Sequence, residues 1–397
     1  MGDASDLVTR YISLGLALGR HLDGLVDAYY GPPELRAASE QGAPRPLPAL
    51  ADDARHLIAD LDGGTEPDLS ARRRAWVRAQ TVGLHTMARK LGGEVIAYEE
   101  EVEQCYGVWP HAIPEEELAA AHRRLDDALP GSGPLRERFI EWREAQTIPS
   151  EKLEAVIQSL AEDFRERTDR AFGLPDGEAI EWLLETDKPW SGFNYYLGGL
   201  RSRVAINVDL PVLATAIGHL VAHESYPGHH TEHTRKEVGL VRQQGHLEET
   251  IFLVGTPQCL LAEGLADLAL EALLGERPEP IVETHLRALG VRYDADVAAA
   301  CSTASEALSA LRGNVALMLH RDGATPDDAV AAFERWGLLP RARAEKSVRF
   351  LTDPTWSSYI HCYVEGLPLC RRYVAGDVTR FERLLTDPLT PQELAAA

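Results

Sequence analysis

The chain has 397 residues, 45% of them apolar and 26% charged, which is enough to bury a sizeable core. Its 62 acidic and 40 basic side chains leave a formal charge of −22, which repels a phosphate backbone or an anionic membrane, so neither nucleic acid nor membrane is an expected partner. The five cysteines, Cys105, Cys259, Cys301, Cys362 and Cys370, lie far apart with no CxxC pair, which argues against a disulfide framework or Cys-ligated zinc and suits a reducing, cytoplasmic setting.

Apolar residues recur at helical spacing over 5–28, and the apolar stretch from Tyr11 to Gly19 is too short for a membrane span and wrongly flanked for a signal peptide. Gly31-Pro32-Pro33 opens a polar, proline-rich stretch to about Pro48 that reads as a loop. Helical patterns follow over 49–62, 69–91, 114–128, 133–146 and 150–172, and the acidic run Glu99, Glu100, Glu101 and Glu103 reads as a solvated helix face. After Gly173 the texture changes. Residues 179–186 and 202–208 are the strand candidates; in the second, Val204, Ile206 and Val208 share one face. From Asp209 and Pro211 onward the pattern is helical to the C-terminus. The expected fold class is mainly α, many helices with one small β-sheet beside the active-site helix. It divides into an N-terminal helical region, 1–175, and a catalytic region, 176–397, although the two could equally form one continuous domain.

Five of the 14 histidines fall within fifteen residues: His219, His223, His229, His230 and His233. His223-Glu224 begins like the zinc motif HExxH, in which two histidines one helical turn apart hold the ion and the glutamate reaches its water. Here Pro227-Gly228 intervenes before His229-His230. In an unbroken helix His229 would stand about 9 Å along the axis from His223. Pro227 forbids an unbroken helix and Gly228 lets the backbone swing, so a break can return His229 to His223, with Pro227 opening a new helix. Deleting Pro-Gly restores the i,i+4 spacing for His229, which makes it the favoured ligand, with His230 as the alternative. The third ligand is Glu263, an acid among small and apolar residues in a helix expected to run from Thr256-Pro257 (N-cap and first residue) to Gly275. Asp267, one turn on, is placed to accept the free N–H of a ligating histidine. Gly264 costs about 1 kcal/mol in a helix and points to close approach of another element. Nearby, His219 reads as a packing or supporting residue, His233 as a surface residue, and Cys259 and Cys362 as buried thiols.

The combination HE-SY-PG-HH followed by Glu263-Gly264-Leu265-Ala266 resembles the bacterial zincin-like family catalogued as domain of unknown function 885, which is similar to the gluzincin metallopeptidases. The resemblance covers roughly 200–275, with a fainter match at 355–370, where Ser358-Tyr359-Ile360 and Gly366 correspond to the family's C-terminal motif. Leu265, where the family has Trp, is a departure. The resemblance implies a multi-helix zincin-like metallohydrolase with one zinc per chain on His223, His229 (or His230) and Glu263, Glu224 as general base, and Tyr359 as donor to the oxyanion, with Tyr363 and Arg203 behind it. Strand 202–208 could pair with an extended peptide along its edge, and Arg201 or Arg203 could clamp a C-terminal carboxylate. The expected activity is hydrolysis of a peptide or amide bond by metal-activated water. A metal-dependent amidase acting on a small metabolite or carrier-attached intermediate is the alternative, and a non-catalytic zinc-bearing peptide-binding scaffold is a third reading. The sequence leaves the oligomeric state open.

Overall fold

The computed structural model describes residues 6–64, 69–188, 190–354 and 356–397, so the start of the helix expected from residue 5 lies outside the described residues. In chain order come α1 (Asp6–Gly19), β1 (Val26–Tyr29), α2 (Pro33–Glu40), α3 (Leu47–Gly63), α4 (Ala71–Leu91), α5 (Tyr98–Tyr106), α6 (Glu115–Ala128), α7 (Leu135–Ala145) and α8 (Ser150–Phe172). Three strands follow, β2 (Ala179–Glu185), β3 (Gly192–Gly198) and β4 (Arg201–Asn207), then α9 (Ala214–Glu224) and α10 (His229–Lys236), which widens into a π turn over Glu237–Arg242. After β5 (Ile251–Leu253) the chain is helical: α11 (Pro257–Leu274), α12 (Glu279–Ala288), α13 (Ala295–His320), α14 (Pro326–Arg335), α15 (Arg341–Thr352), α16 (Ile360–Val374), α17 (Val378–Thr386) and α18 (Pro391–Ala395). The protein is mainly helical, as its periodicity predicts. Among the described residues, no helix is long and apolar enough to cross a membrane.

The described residues form two small sheets where the pattern predicts one. In the first, β4 is the central strand, parallel to β2 and antiparallel to β3. Its Val204, Ala205 and Ile206 are all buried, so the expected alternation fades where both faces are covered. The second pairs β1 with β5, with Val26 opposite Leu253 and Ala28 opposite Phe252. Asp27 is the extra residue of this irregularity, and a bulge of this kind re-aims a side chain. The expected helix 5–28 therefore stops at Gly19, where the chain doubles back so tightly that a Cβ would meet Val26 Cγ2 at 2.6 Å. The expected loop to Pro48 contains α2, opened by the proline pair at 32–33. Nor is the acidic face of α5 wholly solvated: Glu101 is buried, with its carboxylate 2.6 Å from Lys90 Nζ.

Helix α11 is the axis of the core. Every residue from Pro257 to Ala266 is buried, as befits a helix apolar nearly all round. It begins at Pro257 and stops before Gly275 (φ 83°) as predicted, but Thr256 does not cap it; the hydroxyl donates to Leu253 O instead. Helix α16 crosses α11 at Gly264 and Gly366. A Cβ on Gly264 would lie 2.5 Å from Gly366 backbone atoms, and one on Gly366 would lie 2.7 Å from Leu260 O. The two backbones touch, which sets Tyr359 and Tyr363 beside Glu263.

Candidate metal centre

Helix α9 ends at Glu224, whose carbonyl accepts from Asn194 Nδ2 on β3 at 2.7 Å. The chain then turns through 225–228, with a cis Tyr226–Pro227 peptide, and the Gly228 N–H donates back to Ala222 O at 3.0 Å. Helix α10 starts at His229 with Gly228 as its cap, so Pro227 belongs to the turn and does not open the new helix. A Cβ at 228 would fall 2.6 Å from the His223 carbonyl carbon, and closer still to its oxygen and to that of Ala222. Only glycine fits this junction. The break swings His229 back until its ring stands edge-on to His223, with centroids 4.7 Å apart.

Three donors converge there. His223 Nε2 lies 3.4 Å from Glu263 Oε2, and His229 Nε2 lies 3.7 Å from Glu263 Oε1. Tetrahedral zinc with bonds of about 2.0–2.2 Å holds its ligands about 3.3–3.6 Å apart, so each histidine stands near ligand spacing from Glu263, the two meeting opposite oxygens of that carboxylate. Glu263 Oε2 is buried without a hydrogen-bond partner, an arrangement that is costly unless a cation stands against it, either a metal ion or the protonated ring of His223 3.4 Å away. His223, Glu224 and His229 also bring one ligand atom each within 4.8 Å of one another.

The electrostatics separate the groups. Burial, with His223 and His233 adding, lowers His229 to about 4, leaving a neutral imidazole whose Nε2 can ligate. For His223 burial acts in the same direction, but Asp267 and Glu263 outweigh it and hold the proton well above the usual range. Burial pushes Glu224 up to about 7, opposed by His223 and reinforced by Glu263, Asp27 and Asp267. Asp267 Oδ1 lies 3.0 Å from His223 Nδ1, off the line of a well-formed hydrogen bond, and 3.4 Å from His219 Nε2. It thus stands on the far side of the His223 ring from Glu263, and His219 shares it.

The structure separates the remaining predicted residues. Both ring nitrogens of His230 are occupied, Nδ1 by Ser202 Oγ at 2.8 Å and Nε2 by Glu178 Oε2 at 2.8 Å, so this side chain is not available as the alternative ligand. Glu178 also accepts from Tyr226 and Arg165. The Tyr359 hydroxyl donates to Glu263 Oε1 at 2.7 Å, so in this arrangement it is engaged by that carboxylate and does not face a substrate oxyanion. Tyr363 lines the cleft described below. Arg203 is turned to the surface, where its guanidinium pairs with Glu181 at 3.1 Å, away from the residues lining the cleft. His233 is stacked on Tyr196 at 4.7 Å and is not a surface residue. Cys259 and Cys362 are buried thiols, as predicted.

His223, Glu224 and Asp267 form part of the wall of a cleft of about 900 Å³, together with His219, Trp190, Ser191 and Gly192. Gly192, which opens β3, lies so close to Glu224 that a Cβ would meet Oε1 at 2.8 Å. Sequence reasoning missed Asp27, whose carboxyl burial and the Glu263 charge raise to about 7. It also missed Glu178 and Asn194, because their partners lie 30 to 52 residues away in the chain. A buried acid just before a strand was the one available sign for Glu178.

No family model matches this chain, and no curated protein matches it. Among solved structures it is similar to a Colwellia psychrerythraea protein described as a lipoprotein, with a TM-score of 0.56 and 15% identity over 87% of this chain. The chain spans about 65% of that protein's length. A Shewanella oneidensis protein described as a lipoprotein of unknown function aligns over 97% of this chain and 81% of its own, at TM-score 0.46 and 12% identity. The M32 carboxypeptidase of Deinococcus radiodurans R1 aligns over 98% and 93%, at TM-score 0.40 and 13% identity. The first of these shows a shared fold; the other two are too distant to carry an argument.

Proposed function

We propose that this chain is a zinc-dependent hydrolase of peptide or amide bonds. The observation that carries the reading is that His223 Nε2 and His229 Nε2 each approach an oxygen of Glu263 near ligand spacing, with Oε2 of that carboxylate lacking a hydrogen-bond partner and Glu224 beside them at the wall of an open cleft. The motif resemblance to the domain 885 family and to gluzincins supports the same reading. When bound, zinc supplies the Lewis acidity that polarises a carbonyl and makes water acidic enough to attack near neutral pH. Glu224 takes the proton from the attacking water and returns it to the leaving nitrogen. Asp267 orients His223, and Tyr359 orients Glu263. Tyr363, which lines the cleft, is the donor for the oxyanion.

At about 900 Å³ the cleft lies near the top of the range for small-molecule sites, so it has room for a short peptide as well as for a metabolite. Strand β4 cannot receive a peptide in extension, since both its edges are paired; of the two edge strands, β2 and β3, it is β3 whose Gly192 end abuts Glu224. A non-catalytic scaffold has no use for a base beside its ligands. Metal analysis of the purified protein, with profiling against a mixed peptide library, tests the proposal. About one zinc per chain is expected, and Glu224→Gln should lose roughly 10²–10⁴-fold in turnover while retaining the metal. Full activity in a metal-free protein held in chelator, or more than a tenth of activity left in Glu224→Gln, would end this reading.

A further inference from the structure

The cleft is basic in an acidic protein. Arg143 from α7, Arg312 from α13, and Arg343, Lys346 and Arg349 from α15 all line it, against the carboxylates of Glu224, Asp267 and Asp353. Two of those three acids belong to the metal centre. Across the whole chain acidic residues outnumber basic ones by 62 to 40, so this wall runs against composition. Other partly buried cations have carboxylate partners: Arg73 pairs with Glu248, Arg235 with Glu382, and Arg371 with Glu271 and Glu306. Among the described residues no ion pair engages the five cleft cations. Arg143 lies over the Phe139 ring and Arg312 over Tyr363, each about 5.6 Å from the centroid.

The local arrangement also opposes helix stability. Arg343 and Lys346 stand three residues apart on one face of α15, where like charges repel. Arg341 and Arg343 occupy a first turn that contains no acid, the end at which the helix dipole disfavours cations. Arg343 lines the same two pockets as the half-buried Arg143, and the two like charges repel. The same pair borders a side pocket of about 200 Å³ walled by Ile140, Leu213 and Leu339. Glu144 shares that pocket and the Asp209 charge is felt by Lys346, yet among the described residues none of these acids forms an ion pair with the cleft cations, and a bound anion would.

Resting on the hydrolase reading, we propose that the cleft selects substrates bearing carboxylates beyond the scissile bond, held by Arg143 and Arg343 with Lys346 beside them. The recognised group is a carboxylate, whose two oxygens suit the planar guanidinium fork, and it can come from an acidic side chain or a free C-terminus.

Binding separates this proposal from catalysis. Fluorescein-labelled pentapeptides Ala-Phe-Ala-Glu-Glu and Ala-Phe-Ala-Gln-Gln, each as free acid and as amide, are titrated by anisotropy into zinc-loaded Glu224→Gln protein. The Glu-Glu acid should bind at least tenfold more tightly than the Gln-Gln amide at low salt, with the margin shrinking as salt rises. The Glu-Glu amide and the Gln-Gln acid then show whether the side chains or the terminus supply the anion. Arg143→Ala with Arg343→Ala should bring the ratio near unity, the corresponding double Lys variant should keep part of it, and Arg277→Ala on the distant surface should leave it unchanged. Lys346→Glu, a single change at a partly exposed position, gives the same readout should the double Ala variant not fold. Equal binding of acidic and neutral peptides, or a preference surviving both charge-removing variants, overturns the proposal. If acidic peptides bind selectively yet none is cleaved by the unmutated protein, the hydrolase reading fails and the anion selectivity stands; cleavage without preference gives the reverse.

Discussion

Replacing Gly228 by alanine tests the geometry that makes the centre possible. The added methyl would lie 2.6 Å from the His223 carbonyl carbon and nearer to two carbonyl oxygens, where real Cβ atoms stay beyond 3.0 Å. The obstacle is backbone on both sides, so no rotamer relieves it, and the junction of α9 and α10 must open by roughly 1 Å. His229 is the next residue. Coordination tolerates displacements of about 0.2 Å, so zinc affinity should fall at least tenfold, about 1.4 kcal/mol. The overpacking should also cost about 1–3 kcal/mol of stability in the metal-free protein. Competition with a chromophoric chelator measures the first effect and urea denaturation in EDTA the second. Gly239→Ala is the control, because a Cβ there meets nothing within 4 Å. Unchanged affinity and unchanged stability in Gly228→Ala would refute the claim that this contact fixes the break.

Tyr363→Phe should lower turnover by about 10²–10³-fold with zinc retained, as for loss of an oxyanion donor, whereas Tyr359→Phe should chiefly weaken zinc retention, by about 1 kcal/mol; chelator competition beside steady-state kinetics separates the two. Burial raises the Glu178 carboxyl, but hydrogen bonds from His230, Tyr226 and Arg165 outweigh it and hold the group at about 2 against its usual 4.5. A depressed carboxylate stabilises the fold above its unfolded value, so roughly 3 kcal/mol should be lost as pH falls from about 4.5 to 2. Glu178→Gln should flatten that window in denaturation curves. Gly264→Ala should destabilise by about 1–3 kcal/mol through its clash with Gly366, read by thermal unfolding.

What the sequence made legible was local. His223-Glu224, the Pro-Gly break, Glu263 and its neighbour Asp267 lie on two short segments that the fold brings together, and Gly264 announced a close approach that α16 supplies. Distant pairings left no such trace. β1 meets β5 across more than two hundred residues, so the periodicity of 5–28 read as one helix and Asp27 went unnoticed. The alternation in β4 marked a strand but carried no information about its neighbours, which take both of the edges a peptide would need. His230 and His229 are indistinguishable by type; only the approach of Glu178 and Ser202 to the first separates them. Arg143 and Arg343 are two hundred residues apart and look like ordinary surface arginines until α7 and α15 bring them to one cleft.

The contact of Gly264 with Gly366 has a practical meaning for redesign. The Tyr359 hydroxyl is indexed to the Glu263 carboxylate by main chain against main chain, a gauge that side-chain drift elsewhere cannot reset. Arg143, Arg343 and Lys346 hang from α7 and α15, which take no part in that crossing, whereas Arg312 of α13 lies over the Tyr363 ring. Libraries that randomise the α7 and α15 residues while sparing the two glycines and Arg312 should therefore vary what is recognised without disturbing the Tyr359–Glu263 contact, so recognition and the proposed chemistry can be engineered as separable modules.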